Sequence, residues 1–155
     1  MLKKIPIGIE NFKELIKDNY FYIDKTKFVE DIVNDGAKVK LFTRPRRFGK
    51  TLNMSMLKYF FDIREFEDNK KLFDNLYIKS SPIFIEQGKY PVIFISMKEV
   101  QASNIENCID AVKVLLESLF KEFRDIFKDL DEFDKLTFMK YATEKLSIEE
   151  IKKGL

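Results

Sequence analysis

The segment Val39-Lys40-Leu41-Phe42-Thr43-Arg44-Pro45-Arg46-Arg47-Phe48-Gly49-Lys50-Thr51-Leu52-Asn53-Met54-Ser55-Met56-Leu57-Lys58-Tyr59-Phe60-Phe61 changes character twice. Val39 to Thr43 is β-branched and aromatic, which predicts a strand. Arg44 to Thr51 is a basic, proline- and glycine-containing loop. Leu52 to Phe61 predicts a helix, with Leu52, Met56, Tyr59 and Phe60 on one face. A second apolar run, Pro91 to Ser96, is unbroken, as in a strand covered on both faces by parallel neighbours. Strand, loop, helix and a second buried strand together predict an α/β fold, a parallel sheet flanked by helices. Two strands are few for such a sheet, and a central strand without neighbours leaves backbone groups unpaired. Either the short extended pieces at 5–9, 20–23 and 75–79 complete it, or part of the sheet lies beyond residue 155.

The turn between strand and helix carries the chemistry. The first N–H groups of a helix have no partner within it, and with the helix dipole they attract an anion. Gly49 lets the backbone approach an oxyanion closely. Lys50 can set its ammonium on outer phosphates, and the Thr51 hydroxyl can ligate Mg²⁺. The full phosphate-loop pattern is G-x-x-x-x-G-K-[ST]. Here Arg44 stands at the first glycine position, followed by Pro45. Two readings of the residues therefore stay open: a true phosphate loop, or a basic surface turn that caps a helix.

The rest of the chain predicts mostly helix. Residues 11–18 put Phe12, Leu15 and Ile16 on one face. Phe28/Ile32 and Val29/Val33 are four apart after Asp24, and Gly36 sits where a C-terminal cap belongs. Short helices are expected over 66–87, around an extended Leu76-Tyr77-Ile78. Residues 104–128 predict one long helix with Val112, Leu116, Leu119, Phe123 and Phe127 along its stripe. Cys108 on it is expected to be a small buried apolar residue. Further helices are expected near 131–144 and 147–155, the last opened by Ser147 with Glu150 three residues on, a capping-box pattern.

Composition narrows the chemistry. The 155 residues carry 28 Lys+Arg against 26 Asp+Glu, one Cys, 16 Phe, and no His or Trp. Without His there is no histidine-based triad, general base or metal ligand. One Cys builds neither a disulfide nor a zinc or iron–sulfur site, and it suits a reducing cytoplasm. Carboxylate, Lys/Arg and backbone chemistry remain, which suit phosphates and Mg²⁺. A net charge of +2 does not by itself argue for nucleic acid. No run approaches the roughly 18 apolar residues of a membrane span, so no membrane partner is expected.

Several blocks together carry a family likeness: Ile5-Pro6-Ile7-Gly8, Phe12, Tyr22-Ile23-Asp24-Lys25-Thr26, Leu41 to Leu57, and Tyr90 to Ser96. They resemble the AAA-ATPase-like family of bacterial and archaeal proteins. In that family Arg-Pro-Arg-Arg-Phe-Gly-Lys-Thr is itself a variant phosphate loop (Walker A), so Arg44 is a family trait. The resemblance implies a P-loop NTPase-like α/β fold and one partial domain over 1–155: a lead-in over 1–37, a P-loop core over 38–103 and a helical segment over 104–155. It implies that Arg46, Arg47, Phe48, Gly49, Lys50, Thr51 and Leu52 bind ATP, with Thr51 on Mg²⁺. Asp24, Lys25 and Thr26 would be auxiliary, or Asp24 would simply cap a helix.

Family members also carry an acidic, Walker B-type strand that holds Mg²⁺ and the attacking water, and many continue into a PD-(D/E)XK nuclease-like domain. This chain has neither, so it is expected to be a fragment, truncated before that strand, that binds nucleotide and hydrolyses it poorly or not at all. Glu99, near the second strand, is the nearest substitute carboxylate, with a solvated loop residue as the alternative reading. The competing expectation is a non-enzymatic module whose basic loop 44–50 holds a nucleic-acid backbone or another partner. The helix over 104–128 could support self-association through Phe120, Phe123, Ile126 and Phe127.

Overall fold

A computed structural model describes residues 3–100 and 103–143. Their regular structure is helical: α1 (Phe12–Lys17), α2 (Lys27–Asn34), α3 (Lys50–Phe61), α4 (Phe66–Lys70), α5 (Ile105–Glu122) and α6 (Glu132–Ala142), with short 3₁₀ turns between. The chain divides into two compact units between Val92 and Ile93.

In the first unit, α1 packs on α3, α3 on α4, and α2 on the 3₁₀ turn Tyr77–Ser80. Phe12, Val29, Met56, Phe60, Leu72, Phe73 and Ile78 form the core. Its centre is aromatic. Phe73 lies 5.2 Å from Phe12 in a stacked arrangement and 5.4 Å from Phe60 edge-on. Such pairs contribute about 0.5–1.5 kcal/mol each beyond the area they bury. The start of α1 is set by a polar side chain. The Asn11 side chain accepts from the Lys13 and Glu14 N–H groups and opens α1. Ser55, buried on α3, accepts the Phe12 N–H at 2.9 Å, and its own proton has the Leu52 and Glu10 carbonyls at 2.9 and 3.2 Å. One hydroxyl thus ties the start of α1 to the middle of α3.

The expected parallel sheet is not there. Among the described residues the only β pairing is an isolated parallel bridge between Asp62 and Tyr90. Residues 39–43 have no regular secondary structure, and no backbone–backbone hydrogen bond engages them among the described residues. Val39 and Leu41 are 87% and 85% exposed, and Ile93 and Ile95 are also exposed. The reason is physical. Apolar, β-branched composition marks a segment that can enter a sheet, but a strand exists only where another backbone supplies the ladder. Of the other extended pieces, Leu76 is extended but Tyr77–Ser80 is a 3₁₀ turn.

Smaller expectations also shift. Gly36 is not left-handed: α2 ends at Asn34 with Asp35 as its C-cap, and the Asp35 carboxylate accepts the Ala37 N–H. In the second unit α5 stops at Glu122 and gives way to the 3₁₀ turn Arg124–Asp129. There α5 packs on α6, with Phe120 stacked on Tyr141 at 4.8 Å and edge-on to the buried Phe138 at 5.0 Å. Cys108 is exposed, contrary to expectation, because the first turns of α5 carry no cover: Ile105 beside it is 79% exposed. The helix proposed over 147–155, its Ser147/Glu150 capping box, and the side chains of Ile126 and Phe127 lie outside the described residues.

Ser55→Ala should cost about 1–3 kcal/mol in urea unfolding, because the buried Phe12 N–H loses its acceptor. An unchanged midpoint would mean that apolar packing alone holds α1.

Candidate functional site

The basic turn, the extended segment before it and the start of α2 enclose a cleft of about 630 Å³. Three spacings build it. Lys40, Phe42 and Arg44 line the cleft, while Val39 and Leu41 stay out of the lining and are exposed, an every-second-residue spacing of the kind an alternating backbone produces. On α3, residues three and four apart share a face, which brings Lys50, Asn53 and Met54 to the same wall. Lys25 and Phe28, also three apart, close it from the start of α2. Among the described residues the lining has four cations, three phenylalanine rings and no carboxylate.

The turn itself is shaped by backbone. Arg47 and Gly49 are both left-handed, at φ 70° and 69°. Gly49 is the N-cap of α3 and offers no side chain to cap it. A left-handed residue followed by a helical one converges successive N–H groups into an anion-binding concavity. Among the described residues no protein backbone acceptor meets the N–H groups of Lys50, Thr51 and Leu52, as is intrinsic to a first helical turn. The Lys50 ammonium folds back into the loop and donates to the carbonyls of Arg44 at 2.5 Å and Pro45 at 2.9 Å. Two of its three protons are thereby engaged and the third remains. Lys40 is held in a like manner by the Asp35 and Ala37 carbonyls, at 2.9 and 2.6 Å. A multiply charged anion is the chemical complement of such a surface.

The seven residues Arg46 to Leu52 do not all meet at the cleft. Lys50 and Phe48 line it; Arg46 and Arg47 are exposed and outside its lining. Thr51 is half-buried, and its hydroxyl has no protein partner among the described residues. Leu52 turns inward against the core. Of the auxiliary trio, Lys25 lines the cleft, while Asp24 and Thr26 serve the scaffold. Asp24 accepts the Thr26 N–H and hydroxyl at 2.8 and 2.7 Å with one oxygen, and the Tyr77 N–H at 2.6 Å with the other. The fully buried Thr26 accepts the Ile78 N–H at 3.1 Å. Asp24 therefore caps a helical start, but that of the 3₁₀ turn Tyr77–Ser80 and not of α2. Glu99 closes the 3₁₀ turn Met97–Glu99; its side chain lies outside the described residues. Sequence reasoning did not assign Phe28, Lys40, Phe42, Asn53 or Met54 to the site, and set Arg44 at its edge. The signal that finds them is the alternation 40/42/44 and the helical spacing 50/53/54.

Fold and site define a helical protein with a basic, aromatic-walled cleft at the mouth of a glycine-capped helix. Residues 6–153 match the sequence profile of the family described as Predicted AAA-ATPase, and the chain belongs to that family. An uncharacterized protein in the vnfD 5′ region of Azotobacter chroococcum mcd 1 is 39% identical over 95 residues, covering 61% of this chain and 17% of that protein. The chain thus spans less than a fifth of that relative's length. No solved structure matches. No helix among the described residues is long and apolar enough to cross a membrane.

Two measurements probe this geometry. Gly49→Ala should cost about 1–2 kcal/mol of backbone strain with no steric term, because the added Cβ meets nothing within 4 Å; a neutral melting temperature would show that the left-handed turn is not enforced. Tyr22 accepts the Lys25 N–H, and its phenol is pushed up to about 12, chiefly by burial and further by the Asp24 charge. The unfolded chain releases that proton near pH 10. Stability should therefore hold below about pH 10 and fall as pH rises toward about 12, and Tyr22→Phe should flatten that fall.

Proposed function

We propose that the protein binds ATP, with its triphosphate at the turn Arg44–Leu52, as part of an ATPase-like protein. The observation that carries the reading is the turn itself. Gly49 is left-handed, the N–H groups of Lys50 to Leu52 meet no backbone acceptor among the described residues, and the Lys50 ammonium is drawn into the loop, which together supply donors and charge suited to a phosphate. Membership of a family described as Predicted AAA-ATPase supports it. In this reading the backbone donors and Lys50 hold phosphate oxygens, and Lys25 and Arg44 add charge from the opposite walls.

Mg²⁺ takes six oxygen ligands and usually keeps several as water and phosphate. The partnerless Thr51 hydroxyl fits one of those positions. When bound, the ion would neutralise charge on the phosphates. Among the described residues no carboxylate lines the cleft, and no cluster of three acidic or thiol side chains could hold a metal. We therefore propose weak or absent hydrolysis by this stretch of chain. The exposed Arg46 and Arg47, outside the cleft, favour a second reading in which the loop lies on a nucleic-acid backbone.

ATP with Mg²⁺ should raise the melting temperature, by the equivalent of about 2.7 kcal/mol at a hundredfold excess over Kd. AMP should do so far less, and Lys50→Ala should remove the effect. No shift with ATP, or equal shifts with AMP and ATP, would sink the triphosphate reading. A nucleic-acid site would instead bind oligonucleotide with an affinity that drops steeply in salt. Mg-dependent turnover that is lost in Lys50→Ala would overturn weak hydrolysis.

A further inference from the structure

We infer that the aromatic side of the same cleft seats the nucleotide base by stacking, with little discrimination among the four bases. The inference rests on the triphosphate reading above and deepens it. Phe28, Phe42 and Phe48 line the cleft that holds Lys50. Phe28 and Phe42 hold each other edge-on, with centroids 4.9 Å apart at 70°. Phe42 remains 41% and Phe48 59% exposed, so both rings present apolar surface to the cleft. The volume, about 630 Å³, falls in the range of sites that enclose a whole small ligand, and the cations account for only part of the lining.

Selection among bases needs donors and acceptors aimed at base edges. The lining offers one side chain that both donates and accepts, Asn53. Lys40 and Lys50 already donate to backbone carbonyls. One neutral hydrogen bond changes affinity by about tenfold at most. Stacking on a ring is open to every base, because every base has a π-face, and adds about tenfold or more.

The test compares ATP, GTP, CTP and UTP with inorganic tripolyphosphate by calorimetry on the full chain with Mg²⁺. The four nucleotides should agree within about tenfold and each should bind about tenfold or more tighter than tripolyphosphate. Phe42→Leu should lower the ratio of ATP to tripolyphosphate affinity about tenfold, and Phe42→Tyr should keep it. Equal affinity for ATP and tripolyphosphate would overturn the stacking site and leave the phosphate loop standing. A preference of a hundredfold or more for one base would overturn the lack of discrimination. Failure of tripolyphosphate and all four nucleotides to bind would overturn the loop reading and this inference together. A Phe42→Leu ratio equal to the parent's would remove Phe42 from the base site and overturn the inference.

Discussion

Everything about the cleft depends on how α3 is held. Its inward face buries Ser55, Met56 and Phe60 completely or nearly so, and α1 and α4 pack against it. A twelve-residue helix is marginal by itself, so tertiary contacts fix its axis. That fixed axis aims the glycine-capped N-terminus at the extended segment before it. Ser55 matters because it joins two constraints in one side chain: it satisfies the buried start of α1 and tethers it to the helix that carries Lys50. The core is thus also the positioning device for the turn.

Charge in the cleft is arranged under tension. Lys25, Arg44 and Lys50 face the same space with no carboxylate among the described lining residues. Like charges that share one cleft repel, more so where apolar walls lower the local dielectric. The loop relieves part of this by turning the Arg44 and Pro45 carbonyls onto the Lys50 ammonium. The same contacts preorganise the lysine, so that an arriving anion meets a cation already drawn into the turn. Arg47 and Gly49, both left-handed, curve the same turn between those carbonyls and the start of α3. Arg47 pays for this in strain that a glycine would not carry.

What the sequence made legible was local. The basic turn, a helix over Leu52 to Phe61 (which the structure begins at Lys50) and the first-turn donors followed from residue types and spacing, and the family likeness held over nearly the whole chain. Asp24 was legible as a capping residue but not in its target, because the Tyr77 N–H it accepts lies 53 residues away. The sheet was not legible. Residues 39–43 have every local mark of a strand, but pairing is a property of two segments, and neither composition nor period reports the second. Cys108 fails for a related reason: its helical face was clear, but whether anything covers that face is a tertiary fact.

The error about the sheet leaves intact what the site needs from that segment. Period-two alternation belongs to extended backbone itself, and a ladder only stabilises it. Lys40, Phe42 and Arg44 still line the cleft, and Val39 and Leu41 stay out of the lining. Burial was inferred from pairing and failed; which side chains line the cleft was not inferred from the sequence, and the every-second-residue spacing of 40, 42 and 44 emerges only in the structure. Position in the cleft therefore rests on two independent periods, 2 along the extended segment and 3.6 along α3. Their meeting at Arg44 and Lys50 is locked by a side-chain-to-carbonyl contact six residues apart in sequence. A site defined this way needs the turn and the helix to be in register, which the core ensures, and it does not need a sheet to define which side chains look inward.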